Sequence, residues 1–292
     1  MEDADMLSIL AALFLQSGGP QPATVDDVVV VGRPQQEQVE AFVAEVAAPA
    51  NGRGLARWRT SVCVGVVNLQ REPATAIVDH VSQVALQQGL RVGEPGCSPN
   101  VVIVFAADAR GLSAALVSSQ PRTFRPGYTG ASQGSAALER FIDNPRPVRW
   151  WHVSVPYVGE TGQVAVRMPG HSAPTVPGAG LVHKGRPIAD ALIKSIIIVD
   201  VPQVEQYSGI QLGDYLALVA LAQVDPDAEV EGVDTVLNLF KAPDEVAGLT
   251  NWDRNYLAAL YEAYPERTDR SDQASAMFRQ VRRGEADVAE SE

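Results

Sequence analysis

Histidine and cysteine are the residue types in this chain with the most direct capacity for chemistry. The four histidines are His80, His152, His171 and His183. No two of them have the H-x-x-x-H or H-x-H spacing that places two imidazoles on one metal ion. His171 and His183 bracket one loop and could meet in space, but no third ligand is indicated. We therefore predict no metal site and no cofactor.

A serine at the centre of GASQG, residues 130–134, matches the G-x-S-x-G pattern of a nucleophile elbow. That mechanism requires an apolar strand before the serine, so that a strained turn exposes its hydroxyl group. Ser132 instead follows RPGYT, a sequence typical of a loop. We expect small turn residues that open a helix here, and we assign no catalytic residue.

Arginines in the middle of the chain suggest binding rather than catalysis. Residues 53–190 carry 14 Lys+Arg against 8 Asp+Glu, whereas residues 200–250 carry one against ten. These two regions could face each other, or the arginines could converge on an anionic ligand. The arginines concerned are Arg122, Arg125, Arg140, Arg146, Arg149, Arg167 and Arg186. Because only 3 of the 23 basic residues are lysine, scattered surface arginines are the other interpretation.

The segment RWWHVS, residues 149–154, is conspicuous for its aromatic side chains. In a strand, Trp150 and His152 share one face and Trp151 takes the other. One interpretation is core packing on one side with a partly exposed aromatic on the other, and the alternative is a recognition surface beside the Gly/Pro-rich loop at 169–187. The resulting candidate set for binding a ligand or partner is Arg146, Arg149, Trp151, His152, His171 and His183.

Alternating carboxylates in DPDAEVEG, residues 225–232, superficially match a calcium loop. Position six of that loop would be Val230 and position twelve Val236, which excludes an EF-hand. A solvated acidic linker between two helices is the main interpretation, and a weak divalent-cation site is the other.

Apolar periodicity predicts the elements that must position these residues. Val39, Phe42, Val43 and Val46 have helical spacing, and residues 73–88 and 131–142 also form helices. Strands are predicted at 58–69, 101–106, 147–158 and 195–201, and helices at 211–224, 233–240 and 251–263. The fold class is α/β or α+β, with a mixed sheet, flanking helices and a helical C-terminal third.

The domain organisation follows from composition. Residues 1–24 form a leader, because MLSILAALFL at 6–15 has the length of a signal-peptide core. The acidic start does not fit a signal peptide, so an N-terminal helix packed on the domain is the alternative. Residues 25–265 form one mixed domain, and residues 266–292 form a charged tail with one further helix before disorder.

Charge and hydropathy restrict the partners. A net charge of -12 argues against general nucleic-acid binding through phosphate neutralisation. No apolar run reaches the roughly 18 residues that a membrane-spanning helix requires. Cys63 and Cys97 could form a disulfide in an oxidising compartment, or they could remain unpaired thiols.

Several segments together resemble a group of alphaproteobacterial exported proteins of unknown function. They include SVCVGVVNL, GCSPNVVIVFAAD, RWWHVS, IIIVD, LGDYLALVALAQVDPD and GLTNWDRNYLAALY, within residues 25–265. The resemblance implies an exported protein and a bridge between Cys63 and Cys97.

The C-terminal part is also faintly similar to a degenerate zinc-peptidase fold. The helix at 212–223 offers Asp214 and Tyr215 where a ligand and a base would stand. Since that helix carries no histidine, the resemblance implies a non-catalytic scaffold.

The sequence thus favours a periplasmic or otherwise exported, non-enzymatic envelope protein that binds a partner or an anionic ligand. The alternative is a hydrolase with an atypical metallopeptidase-like site near His152, His171 and His183. A cytoplasmic location is the alternative to export.

Overall fold

The β-branched segments of the chain form one five-stranded sheet. A computed structural model describes residues 35–50, 53–125, 133–158, 162–165, 188–262 and 269–289, with the side chains of the last helix described to residue 284. The strands are β1 Arg57–Trp58, β2 Val64–Val67, β3 Val101–Ala106, β4 Val148–Val158 and β5 Ile188–Asp200. All of these residues belong to one compact unit. The leader at 1–24 and the loop at 169–187 lie outside the described residues.

The long strand β5 is the centre of the sheet. It pairs in parallel with β1 and β3 on one side and antiparallel with β4 on the other, while β2 pairs in parallel with β3. The run Ile196–Ile197–Ile198 is buried throughout, as expected for a strand covered on both faces. The mixed sheet with flanking helices confirms the predicted fold class.

Helices cover both faces of this sheet. They are α1 Gln35–Val46, α2 Arg71–Gln87, α3 Ala109–Ser119, α4 Pro121–Phe124, α5 Ser135–Asp143, α6 Val201–Val204, α7 Gly209–Leu221, α8 Asn251–Glu262 and α9 Arg270–Ala289. The C-terminal third is helical, as predicted. In α1, the four residues with helical spacing are all buried.

Two hydrophobic cores lie on opposite faces of the sheet. The larger one contains α7, of which every residue from 212 to 221 is buried, together with side chains from α1, α2, α8 and α9. A helix that is apolar on all sides needs such complete enclosure. The smaller core packs α3, α4 and α5 against Trp151, Ile196 and Ile198.

Strand β4 contributes to both cores, because its side chains alternate. Trp150 belongs to the larger core and Trp151 to the smaller one, which confirms the alternation predicted for RWWHVS. The Trp150 indole donates to the Val224 carbonyl at 3.0 Å, and the Trp151 indole donates to the Phe124 carbonyl at 2.9 Å. Each ring thereby positions the segment that covers it.

Helix α9 lies in the region assigned from composition to a charged tail. Its side chains Gln273, Ala274 and Met277 are buried, and the Gln273 amide donates to the Tyr256 carbonyl at 2.9 Å. The packed core therefore continues beyond residue 265.

The two cysteines meet at one end of the sheet. Cys63 directly precedes β2, Cys97 lies in the turn before β3, and their sulfur atoms are at disulfide distance. This geometry agrees with the bridge that the resemblance implies. Within the described part of the chain, no helix is long and apolar enough to cross a bilayer.

Candidate anion-binding pocket

A pocket of about 190 Å³ lies where α5, the start of β4 and the start of α9 meet. Residues 48–50, after α1, and 225–226, after α7, complete its wall. Four of the lining residues are arginines: Arg140, Arg146, Arg149 and Arg270. Phe141, Trp150 and Trp151 supply apolar wall. We call this cavity the arginine pocket.

Arg149 is the buried member of the arginine pocket, with only 2% of its surface exposed. It is the second residue of β4, on the same face of the strand as Trp151. One of its terminal nitrogens donates to the Phe141 carbonyl at 3.0 Å and to the Ile142 carbonyl at 2.6 Å. These carbonyls end α5, where a cation interacts favourably with the helix dipole.

The Nε–H of Arg149 is buried and has no hydrogen-bond partner within the described structure. A buried donor without a partner costs about 1–3 kcal/mol. Burial first, and the neighbouring Arg146 guanidinium second, lower the pKa of Arg149. An arginine nevertheless keeps its charge in proteins. The site therefore holds a buried cation with an unused donor beside the cavity.

Arg140 and Arg146 share one carboxylate at the rim of the pocket. Arg140 Nε lies 3.1 Å from one oxygen of Asp227, and a terminal nitrogen of Arg146 lies 2.5 Å from the other. The Asn144 amide also donates to Asp227, at 3.0 Å. The acidic segment predicted as a linker thus contributes a partner for two arginines.

Arg270 reaches the pocket from the first residue of α9. Its Nε and one terminal nitrogen donate to the Ala47 carbonyl at 3.0 and 2.7 Å. Arg270 was not among the predicted binding residues, because residues 266–292 were assigned to the charged tail. Asp269, which accepts from the backbone N–H groups of Ser271 and Asp272, is a helix N-cap signal that could have located α9.

Positive charge predominates in the arginine pocket, although the chain as a whole is acidic. Four guanidinium groups are accompanied by the carboxylates of Asp225 in the wall and Asp227 at the rim. The aromatic wall lowers the local dielectric constant and strengthens the field of the guanidinium groups. Planar guanidinium groups bind carboxylate and phosphate oxygens with two parallel hydrogen bonds.

The structure divides the six residues of the predicted binding set. Arg146, Arg149 and Trp151 line the arginine pocket together. His152 faces the opposite side of the sheet, in the larger core, while His171 and His183 lie outside the described residues. Of the other arginines considered, Arg140 also lines the pocket. Arg122 lies in α4 and Arg125 directly follows it, while Arg167 and Arg186 lie outside the described residues.

His152 is a buried neutral base rather than part of the pocket. Its Nε2 lies 2.7 Å from the Val219 carbonyl, so this nitrogen carries the proton. Desolvation lowers the pKa of His152 to about 4. Its Nδ1 and the hydroxyl of Ser195, its cross-strand neighbour, have no hydrogen-bond partner in the described structure.

The residues singled out by the zinc-peptidase similarity have other partners. Asp214 accepts from the Leu249 backbone N–H at 2.8 Å, and its other oxygen lies 2.6 Å from His80 Nε2 on α2. Tyr215 packs against the rings of Trp150 and Phe240. Across the described ranges, no group of three His, Cys, Asp or Glu side chains could hold a metal ion.

Comparison of the chain with protein-family models, curated proteins and solved structures gives no match. The geometry of the arginine pocket therefore carries the functional proposal.

Proposed function

We propose that this chain is an exported, non-enzymatic envelope protein that binds a small anionic ligand in its arginine pocket. The observation that carries the proposal is the buried Arg149, whose Nε–H lacks a partner while three further arginines line the same cavity. Gathering like charges beside a core is unfavourable unless an anion compensates them. The ligand supplies that compensation.

The composition of the wall favours binding over catalysis. The described lining residues include no serine, threonine, cysteine or histidine, so a nucleophile with an adjacent base is absent from that lining. Arginines, two tryptophans and a phenylalanine instead recognise charge and shape. This composition supports a carrier or sensor of the anion.

Export is supported by the cysteine pair. Disulfides persist in the periplasm and other oxidising compartments, whereas cytosolic thiols are kept reduced. Cys63 and Cys97 lie at disulfide distance, and neither lines the arginine pocket. A bridge with a purely structural position is typical of exported domains.

Isothermal titration calorimetry with inorganic phosphate at low ionic strength tests the proposal. The informative variant is Arg140→Gln, because Arg140 lines the pocket and is half exposed, so its loss leaves the core intact. We expect at least a fivefold loss of affinity. Arg283→Gln is the matched control, since Arg283 is an exposed arginine that pairs with Glu262, does not line the pocket and is not among the charges that act on Arg149.

Affinity for phosphate should also fall with added salt, because the interaction is between charges. Absence of phosphate binding by the native protein, or an equal loss in both variants, would contradict an anion site in this pocket.

A further inference from the structure

Asp227 holds the arginines at the rim as a ligand would. Its carboxylate receives three donors from two neighbouring segments: Arg140 Nε at 3.1 Å, Arg146 at 2.5 Å and the Asn144 amide at 3.0 Å. Two guanidinium groups and an amide around one oxyanion form a donor set that recognises carboxylate and phosphate groups in general. Here a side chain of the chain itself occupies it.

We propose that Asp227 is an internal substitute for the ligand, which a dianionic oxyanion such as a phosphate monoester displaces when it binds. The inference rests on the proposed function and adds the regulation and the ligand class of the same site. Displacement frees Arg140 and Arg146 to join Arg149 and Arg270 around the incoming group.

The position of Asp227 allows such an exchange. Its side chain is 41% exposed, so the carboxylate can return to water without uncovering the core. It lies in a surface turn, where its backbone N–H donates to the Asp225 carboxylate at 2.9 Å. The Arg140–Asp227 pair is exposed, and such pairs contribute only about 0–1 kcal/mol. The Arg146 side chain is 14% exposed, so its pair with Asp227 is the one that the incoming anion must replace.

Charge selects the ligand class. A monocarboxylate that replaces Asp227 exchanges one negative charge for another and gains little. A dianion brings additional negative charge toward the buried guanidinium of Arg149, whose Nε–H is unused. The pocket, at about 190 Å³, admits a small molecule rather than a polymer. Phosphate and phosphate monoesters share this chemistry.

The experiment compares Asp227→Asn with Asp143→Asn by calorimetric titration with inorganic phosphate and, separately, with acetate. Both substitutions remove one exposed carboxylate that pairs with an arginine, but Asp143 pairs with Arg110 outside the pocket. We expect Asp227→Asn to bind phosphate at least fivefold more tightly than the native protein. Asp143→Asn should stay within twofold, and acetate should bind at least tenfold more weakly than phosphate to every form.

Asp227→Ala provides a second variant, because an asparagine carbonyl can still accept from the arginines. Equal or weaker phosphate binding by both Asp227 variants would overturn the displacement, while the Arg140→Gln result would still decide the proposed function. Phosphate binding by the Asp227 variants but not by the native protein would overturn the displacement, because phosphate would then fail to remove Asp227 from the arginines. Absence of binding by all forms overturns both proposals, and equal affinity for acetate overturns the dianion class.

Discussion

Two charged regions border the core, and they differ in how their hydrogen bonds are completed. In the threonine–aspartate corner, formed by Thr235, Thr250 and Asp253, the fully buried Asp253 accepts four hydrogen bonds. They come from the Thr235 hydroxyl at 2.5 Å, the Val236 N–H at 2.8 Å, and the Thr250 N–H and hydroxyl at 3.0 and 2.9 Å. Burial raises the pKa of Asp253, and these bonds oppose the shift.

The arginine pocket shows the opposite arrangement. It gathers four charges of one sign, and the buried Arg149 keeps a donor without a partner in the described structure. A group that only maintains a fold is surrounded by complementary partners, as Asp253 is. Under the proposed function, the incomplete set at Arg149 belongs to a binding site, whereas the completed set at Asp253 belongs to the fold.

The largest expected effect is at the corner. Asp253→Ala leaves two backbone N–H groups and the Thr235 hydroxyl without their acceptor, while the Thr250 hydroxyl keeps the Asp234 carbonyl at 2.7 Å, and we expect a loss of about 4 kcal/mol in the free energy of unfolding. Asp253→Asn keeps one acceptor oxygen and should lose about half as much. Urea denaturation measures both. A loss below about 1 kcal/mol in the free energy of unfolding for Asp253→Ala would contradict the comparison. The completed hydrogen bonds of the corner would then contribute little to stability.

Removal of the bridge between Cys63 and Cys97 should come next. The pair closes a loop with a sequence separation of 34, for which the chain-entropy relation gives about 3–4 kcal/mol. The double variant Cys63→Ser/Cys97→Ser should lose that amount while its phosphate affinity stays within twofold of the native value. A change in affinity comparable to that of Arg140→Gln would show that stability and binding are not separable here.

His152 is intermediate between Asp253 and Arg149. One of its ring nitrogens has a hydrogen-bond partner, and the other has none in the described structure. Its pKa is about 4 in the folded state and about 6.5 in the unfolded state, so the unfolded chain binds more protons between these values. The contribution of His152 to the free energy of unfolding is therefore fully present above pH 6.5. It falls by about 3 kcal/mol as the pH decreases toward 4.

His152→Gln can still donate to Val219 but cannot titrate in this range. The difference in unfolding free energy between the native protein and this variant should decrease as the pH is lowered from 7 to 4. Other titrating groups are common to both proteins and cancel in that difference. A difference that stays constant with pH would mean that the pKa of His152 is the same in the folded and unfolded protein.

The smallest expected change in stability belongs to Arg149→Lys. A lysine keeps the positive charge near the Phe141 and Ile142 carbonyls but lacks the planar guanidinium group, so we expect a loss of about 1 kcal/mol. Phosphate affinity should fall at least fivefold, because the buried Nε–H disappears. A variant that loses stability but not affinity would place Arg149 with Asp253, among the structural charges.

Local patterns in the sequence predicted most of the elements but not the arginine pocket. The helix predicted at 233–240 is a short 3-10 turn at Val236–Asn238, and the strand predicted at 58–69 is divided between β1 and β2. The spacing of Val39, Phe42 and Val43 predicted α1 and its buried face, because helical periodicity is a property of neighbouring residues. RWWHVS likewise predicted the alternation of its side chains along β4, but not that both tryptophans are buried. Arg270 was missed because its approach to Ala47 depends on the packing of α9 and not on the residues around it.

Strand β5 illustrates a second limit. The apolar run predicted only residues 195–201, whereas the strand begins at Ile188. Its first half contains Asp190, a polar residue that weakens the apolar pattern. In the fold, Asp190 accepts the Gly54 backbone N–H at 2.9 Å and pairs with Arg53. A partner 137 positions earlier in the chain stabilises this carboxylate, and no local pattern reveals it.

The assembly of the arginine pocket from distant segments has a consequence for biosynthesis. Its wall draws on residues near positions 48, 140 and 225, and it is completed by Arg270 at the start of the last helix. A chain emerging from the ribosome acquires Arg270 only after every other lining residue. Under the proposed function, ligand affinity should therefore appear abruptly with the docking of α9, so that chains truncated before Arg270 do not bind the anion.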